Sequence, residues 1–178
     1  PSKRMLGLQL WLNIPAKDKM KAEPFYHGVV NSEIQEFDLG NGKLRLLAGE
    51  YQGHKGIQGK YLPLDYYDIH LNPNSRIEFD TLGENKSIMV FTLEGDAIVS
   101  GTHVDEKTAA KLGDGDKLTI ESGDQPIEII YMASDKLNEP VAWYGPIVMN
   151  TREELIEAYT ELDSGDFIKQ QAKYENKV

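Results

Sequence analysis

The stretch Phe91-Thr92-Leu93-Glu94-Gly95-Asp96-Ala97-Ile98-Val99-Ser100-Gly101 decides the fold class. A run from Ser87 to Leu93 has strand composition, Glu94-Gly95-Asp96 is a turn, and Ala97 to Gly101 starts a second run. The same punctuation extends in both directions. Downstream, Lys117 to Glu121 and Ile127 to Met132 read as strands, divided by Gly113-Asp114-Gly115-Asp116 and Ser122-Gly123-Asp124. Upstream, Tyr61 to Leu71 and Ser75 to Phe79 flank Asn72-Pro73-Asn74, and Ile34 to Leu39, Asn41-Gly42 and Lys43 to Ala48 predict a hairpin with a two-residue turn. Between these, glycines at 49, 53, 56 and 59 predict a mobile loop. Short strands at close intervals predict a mainly β chain, a jelly-roll sandwich of the double-stranded β-helix type.

The two ends differ from this body. Leu6, Leu8, Leu10, Leu12 and Ile14 alternate with Gly7, Gln9, Trp11 and Asn13, which predicts a strand with one apolar face, followed by a charged connector from Ala16 to Glu23. At the other end, Thr151 and Glu154 form a capping box, and Leu155, Ile156, Tyr159 and Leu162 share one face of a helix that Gly165 can stop. This helix is expected to pack on the β body, and Gln170 to Val178 is expected to be a frayed polar tail. Residues 1–24 thus read as an arm and linker, and 25–178 as one domain with a terminal helix.

With 29 Asp plus Glu against 19 Lys plus Arg in 178 residues, the net charge of −10 opposes direct nucleic-acid binding and anionic membrane surfaces. No cysteine is present, so disulfides and thiolate chemistry are excluded. No apolar run has the length of a membrane span, and Pro1-Ser2-Lys3-Arg4-Met5 lacks a leader's apolar core, so the cytoplasm is the expected location.

Two segments resemble the pirin family of bicupins. Leu8-Gln9-Leu10-Trp11-Leu12-Asn13-Ile14-Pro15-Ala16-Lys17-Asp18-Lys19-Met20 is similar to the segment joining the two cupin domains, and Trp143-Tyr144-Gly145-Pro146-Ile147-Val148-Met149-Asn150-Thr151 to the closing motif before the last helix. Asp68 to Pro73 and Phe91 to Gly101 are similar to cupin sheet segments, while Ile147 stands where an aromatic residue is expected. The resemblance implies a carboxy-terminal cupin domain whose metal-bearing amino-terminal companion is absent. It also implies that iron or another divalent metal, with the quercetin 2,3-dioxygenase activity of some members, belongs to that companion. Other members are transcription cofactors, so an interaction module is a further expectation.

A cupin metal site needs converging imidazoles and a carboxylate, with two of the histidines two residues apart on one strand. Thr81-Leu82-Gly83-Glu84-Asn85-Lys86, where the pair would lie, has none, and His27, His54, His70 and His103 are scattered. Asp68 and His70 are the rival ligand pair, two apart on a strand. Tyr67, Ile69 and Leu71 form that strand's apolar face, so Asp68 and His70 are expected to point away from the interior, as a polar face lying against another element. Ser122 and Ser134 lack a histidine partner, His54 reads as a loop residue, and Asp114 with Asp116 as a turn. The expectation is therefore a non-catalytic domain with no catalytic, cofactor or metal site of its own. Its arm, Leu6 to Ile14, is expected to pair with the amino-terminal cupin or with a second copy.

Overall fold

A computed structural model describes residues 6–80 and 85–175. Ten strands build the β body: β1 Gln35–Asp38, β2 Gly42–Ala48, β3 Leu64–Leu71, β4 Arg76–Asp80, β5 Lys86–Glu94, β6 Ala97–Val99, β7 Thr102–Val104, β8 Ala109–Lys111, β9 Lys117–Ser122 and β10 Ile127–Asp135. They form a six-stranded sheet in the order β8-β5-β10-β3-β2-β1 and a four-stranded sheet in the order β7-β6-β9-β4. Every pairing in both sheets is antiparallel. The apolar alternation of each strand sets its inward face. Leu44, Leu46, Tyr67, Ile69, Val90, Ile129 and Tyr131 of the larger sheet meet Ile77, Val99, Val104, Leu118 and Ile120 of the smaller in one continuous core. This is the predicted β-sandwich.

The predicted hairpin forms one residue earlier than expected. Leu39 N–H donates to the Gly42 carbonyl at 2.9 Å, so Gly40 and Asn41 are the two turn residues, with Gly40 at φ +75°. Gly42 is already in the ladder, where a Cβ would lie 2.1 Å from the His70 carbonyl oxygen. Only a residue without a side chain lets β2 approach β3 there. The glycine stretch forms a paired hairpin rather than an open loop. Glu50–Tyr51 and His54–Lys55 pair across Gln52 and Gly53, both at positive φ, and Gly49 N–H donates to Ile57 O. Phe37 lies 5.2 Å from both the Tyr51 and His54 rings, which fastens this small hairpin to β1.

The chain divides into two compact units. One contains Phe25–Lys136 and the chain from Lys173, and the other contains the chain up to Pro24 together with Leu137–Ala172. In the second unit, Ala142–Tyr144 and Ile147–Met149 form a hairpin against which the helix Arg152–Ser164 packs, Tyr159 donating to the Tyr144 carbonyl at 2.9 Å. The capping box is present: Glu154 N–H donates to Thr151 Oγ1 at 3.2 Å, and Thr151 N–H to Glu154 Oε2 at 3.0 Å. Gly165 ends the helix at φ +83°. The helix surroundings differ from expectation. Ala158 is its buried residue, while Ile156 and Leu162 are 58% and 48% exposed, because the small hairpin covers only a narrow strip.

The arm is not a strand in this single chain. Among the described residues Leu6 to Pro15 has no ladder partner, and Leu6, Leu8, Trp11 and Leu12 are exposed, since alternation supplies a face but a strand also needs a neighbouring backbone. Ala16–Lys19, expected as connector, makes a short helical turn. Part of the expected tail is paired: Lys173–Glu175 runs parallel to Phe25–His27, while 176–178 lie outside the described residues.

Candidate functional site

The place to look for cupin chemistry is the inward side of the sandwich. At one end of the core is an open cavity of about 180 Å³ lined by Tyr51, Tyr67, Phe79, Lys86, Ile88, Tyr131 and Ala133. Strand parity aims Asp65 and Tyr67 of β3, Phe79 of β4, Lys86 and Ile88 of β5, and Tyr131 and Ala133 of β10 to this side. The rings form a connected stack. Phe79 and Tyr131 stack at 4.9 Å and 19°, Tyr67 and Tyr131 at 5.1 Å and 17°, and Tyr51 meets Tyr67 edge-on at 5.8 Å. Tyr67 OH donates to the Glu50 carbonyl at 2.5 Å, joining the stack to the small hairpin.

Burial pushes the Tyr67 and Tyr131 hydroxyls up, with the Asp65 carboxylate adding to the effect, and Tyr131 reaches about 12. These groups are neutral at physiological pH. A cupin-type metal needs several imidazoles here, and none of the cavity-lining residues is a histidine. The lining also includes the carboxylates Glu50, Asp65 and Asp80, but it lacks the imidazoles that a cupin metal needs. Residues 81–84, read in the sequence as the site of a missing histidine pair, lie outside the described residues.

The four histidines lie elsewhere. His54 is in the small hairpin and His27 in the strand paired with Lys173–Glu175. His103 is exposed beside Asp105, its Nε2 3.0 Å from Oδ1, with Asp96 at 3.9 Å. His70 is on the outward face of β3 with Asp68, as the alternation predicts, and Tyr67, Ile69 and Leu71 are in the core.

The pairing of β3 with β2 and β10, which the sequence of β3 alone does not show, sets the company this pair keeps. Register places Arg45 of β2 opposite Asp68, and Lys43 of β2 and Glu128 of β10 opposite His70. Arg45 Nη1 bonds Asp68 Oδ2 at 2.7 Å, while Arg45 Nη2 donates to Asn31 Oδ1 at 2.6 Å. Asp68 is only 6% exposed. Burial raises its pKa, but His70 and Arg45 outweigh that and hold the carboxyl below its ordinary value. The Asp68 carboxylate raises the His70 imidazole against the opposing effect of burial, and burial followed by the Asp68 charge raises Glu128. Asp68, His70 and Glu128 offer ligand atoms all within 4.8 Å of one another. Glu128 alternates with core Ile127 and Ile129, a signal in the sequence, but only sheet register shows which charges face it.

The two serines are structural. Ser122 Oγ accepts from Ser75 N–H at 2.8 Å and donates to Asn72 O at 2.6 Å, and Ser134 Oγ donates to Pro63 O at 2.5 Å. Asp114 pairs with Lys136 at 2.9 Å, consistent with a turn.

An antiparallel jelly-roll sandwich of this topology, with one helix following it, defines a cupin domain. Residues 66–168 match the pirin C-terminal cupin domain, and the chain belongs to the pirin family. Over 174 residues it is 37% identical to a Thermoplasma acidophilum protein whose name assigns it quercetin 2,3-dioxygenase activity provisionally, covering 92% of this chain and 65% of that one. It is 30% identical to human pirin over 157 residues, covering 85% of this chain and 53% of pirin. The crystal structure of quercetin 2,3-dioxygenase from Acinetobacter baumannii superposes with a TM-score of 0.78 at 30% identity, over 88% of this chain and 55% of that chain. The chain thus spans between half and two thirds of the length of these relatives. Among the described residues, no helix is long and apolar enough to cross a membrane.

Proposed function

We propose that this chain is a non-catalytic cupin domain of a pirin-type protein, serving to support a metal-bearing cupin domain. The observation that carries this reading is the aromatic stack of Tyr51, Tyr67, Phe79 and Tyr131 at the inward end of the sandwich, where a catalytic cupin would gather its imidazoles. The packed, neutral rings supply no imidazole, and the carboxylates beside them, Glu50, Asp65 and Asp80, stand without the histidines that a cupin metal needs. In this reading, the dioxygenase chemistry in the relatives' names uses residues that this chain does not supply, and iron or another divalent metal belongs to the companion cupin.

The arm is the proposed means of attachment. Leu6, Leu8, Trp11 and Leu12 present apolar surface on a backbone without a ladder partner among the described residues, the combination that adds a strand to a neighbouring sheet. The amino-terminal cupin is the proposed neighbour. The test is oxygen consumption with quercetin after incubation with iron, manganese or nickel. No turnover above metal in buffer is expected, and protein-dependent turnover refutes the reading. Light scattering of the full chain and of a form starting at Ala16 tests the arm, since a dimer lost on shortening would assign the arm to a second copy instead.

A further inference from the structure

We propose that the outward face of the larger sheet carries a divalent-cation site formed by Asp68, His70 and Glu128, separate from the barrel interior and non-catalytic. Asp68 Oδ1 and His70 Nε2 face each other at 3.0 Å. Both atoms are buried, and each has only the other as a partner. Two atoms with lone pairs, fixed in this way, leave a desolvation cost uncompensated unless a proton or a cation sits between them.

The spacing suits a cation. Ligand distances of about 2.1 Å put neighbouring donors about 3.0 Å apart at a right angle and about 3.4 Å apart in a tetrahedron. Glu128 supplies the third donor from the adjacent strand, within 4.8 Å of the other two. One imidazole and two carboxylates suit zinc, manganese or another first-row divalent ion, and the two carboxylates balance its charge. Arg45, 2.7 Å from the other oxygen of Asp68, fixes the carboxylate's orientation, as an outer-shell partner does. The His70 and Glu128 side chains are only partly buried, which leaves a path for the ion. Arg45 and Lys43 keep affinity moderate, because two cationic side chains flank the site. The Asp96, His103 and Asp105 group, exposed at all three residues, serves as the internal control.

The probe is Zn²⁺ alone, titrated calorimetrically into the full chain at pH 7.5, with ¹⁵N imidazole spectra recorded in parallel. One ion per chain is expected, with His70 Nε2 moving to the metal-bound range, binding weakened more than about tenfold in His70→Gln and unchanged in His103→Gln. Absence of binding, undiminished binding in His70→Gln, or an unshifted His70 ring overturns the proposal. The wild-type spectra give that answer even if a variant folds poorly. Zinc bound here leaves the quercetin assay unaffected, so the two readings fail independently.

Discussion

Replacing Phe79 by leucine tests whether the aromatic stack holds the sandwich together. Phe79 stacks on Tyr131 at 4.9 Å, tilts against Tyr67 at 6.1 Å and meets Tyr51 edge-on at 6.5 Å. Aromatic pairs contribute about 0.5–1.5 kcal/mol each beyond area burial. The stacked contact counts fully and the two wider ones less, so Phe79→Leu, which keeps an apolar side chain, should cost about 1–3 kcal/mol. With a urea m-value of about 2 kcal/mol/M, the midpoint should fall by about 0.5–1.5 M at unchanged m. The double-mutant cycle with Tyr131→Leu isolates the closest pair and should give a coupling of about 0.5–1.5 kcal/mol. A coupling under about 0.3 kcal/mol, the scatter for independent sites, would refute the argument: the rings would then be neighbours without holding one another.

Thr92→Val should destabilise by about 1–3 kcal/mol, because the Oγ1 of fully buried Thr92 accepts from Thr108 N–H at 3.0 Å and donates to Asp105 O at 2.6 Å, and valine removes both bonds. Faster amide exchange at Thr108 should accompany the loss. Tyr131 reaches about 12 in the fold from an ordinary value of 10.0, so its raised pKa contributes stability that is intact below about pH 10 and lost as pH rises through 12. Urea unfolding at pH 9 and pH 12.5 should therefore show about 2–3 kcal/mol more loss for wild type than for Tyr131→Phe, and equal losses would contradict the assignment. Thr151→Ala removes the helix cap and should cost the second unit about 1 kcal/mol, read by thermal melting, while Thr151→Ser should restore it.

How far the sequence could be read depended on whether a signal was local. Alternation in Tyr67-Asp68-Ile69-His70-Leu71 correctly separates core from outer face, because one residue of register decides both. The capping box at Thr151 and Glu154 and the stop at Gly165 were readable because each involves only a few residues. The Asn41-Gly42 dipeptide was a weaker guide, since Gly40 could also take positive φ and hydrogen bonding placed the turn one residue earlier. Short edge strands such as Thr102–Val104 and Ala109–Lys111 carry too little apolar pattern to stand out. The arm shows the reverse, a clear pattern without the partner that makes a strand. Neither the inward stack nor the Asp68, His70 and Glu128 group was visible beforehand, because Phe79, Tyr131 and Glu128 meet their partners only through pairing between distant segments.

Strand β10 has a further consequence for how the domain opens. It has hydrogen-bonded neighbours on both edges, and burial extends from Ile129 and Tyr131 on one side to Ile130 and Met132 on the other. Fraying confined to the sheet edges leaves both of its ladders intact. Amide exchange at Ile129 to Ala133 should therefore require the domain's global unfolding, making this strand a direct reporter of total stability.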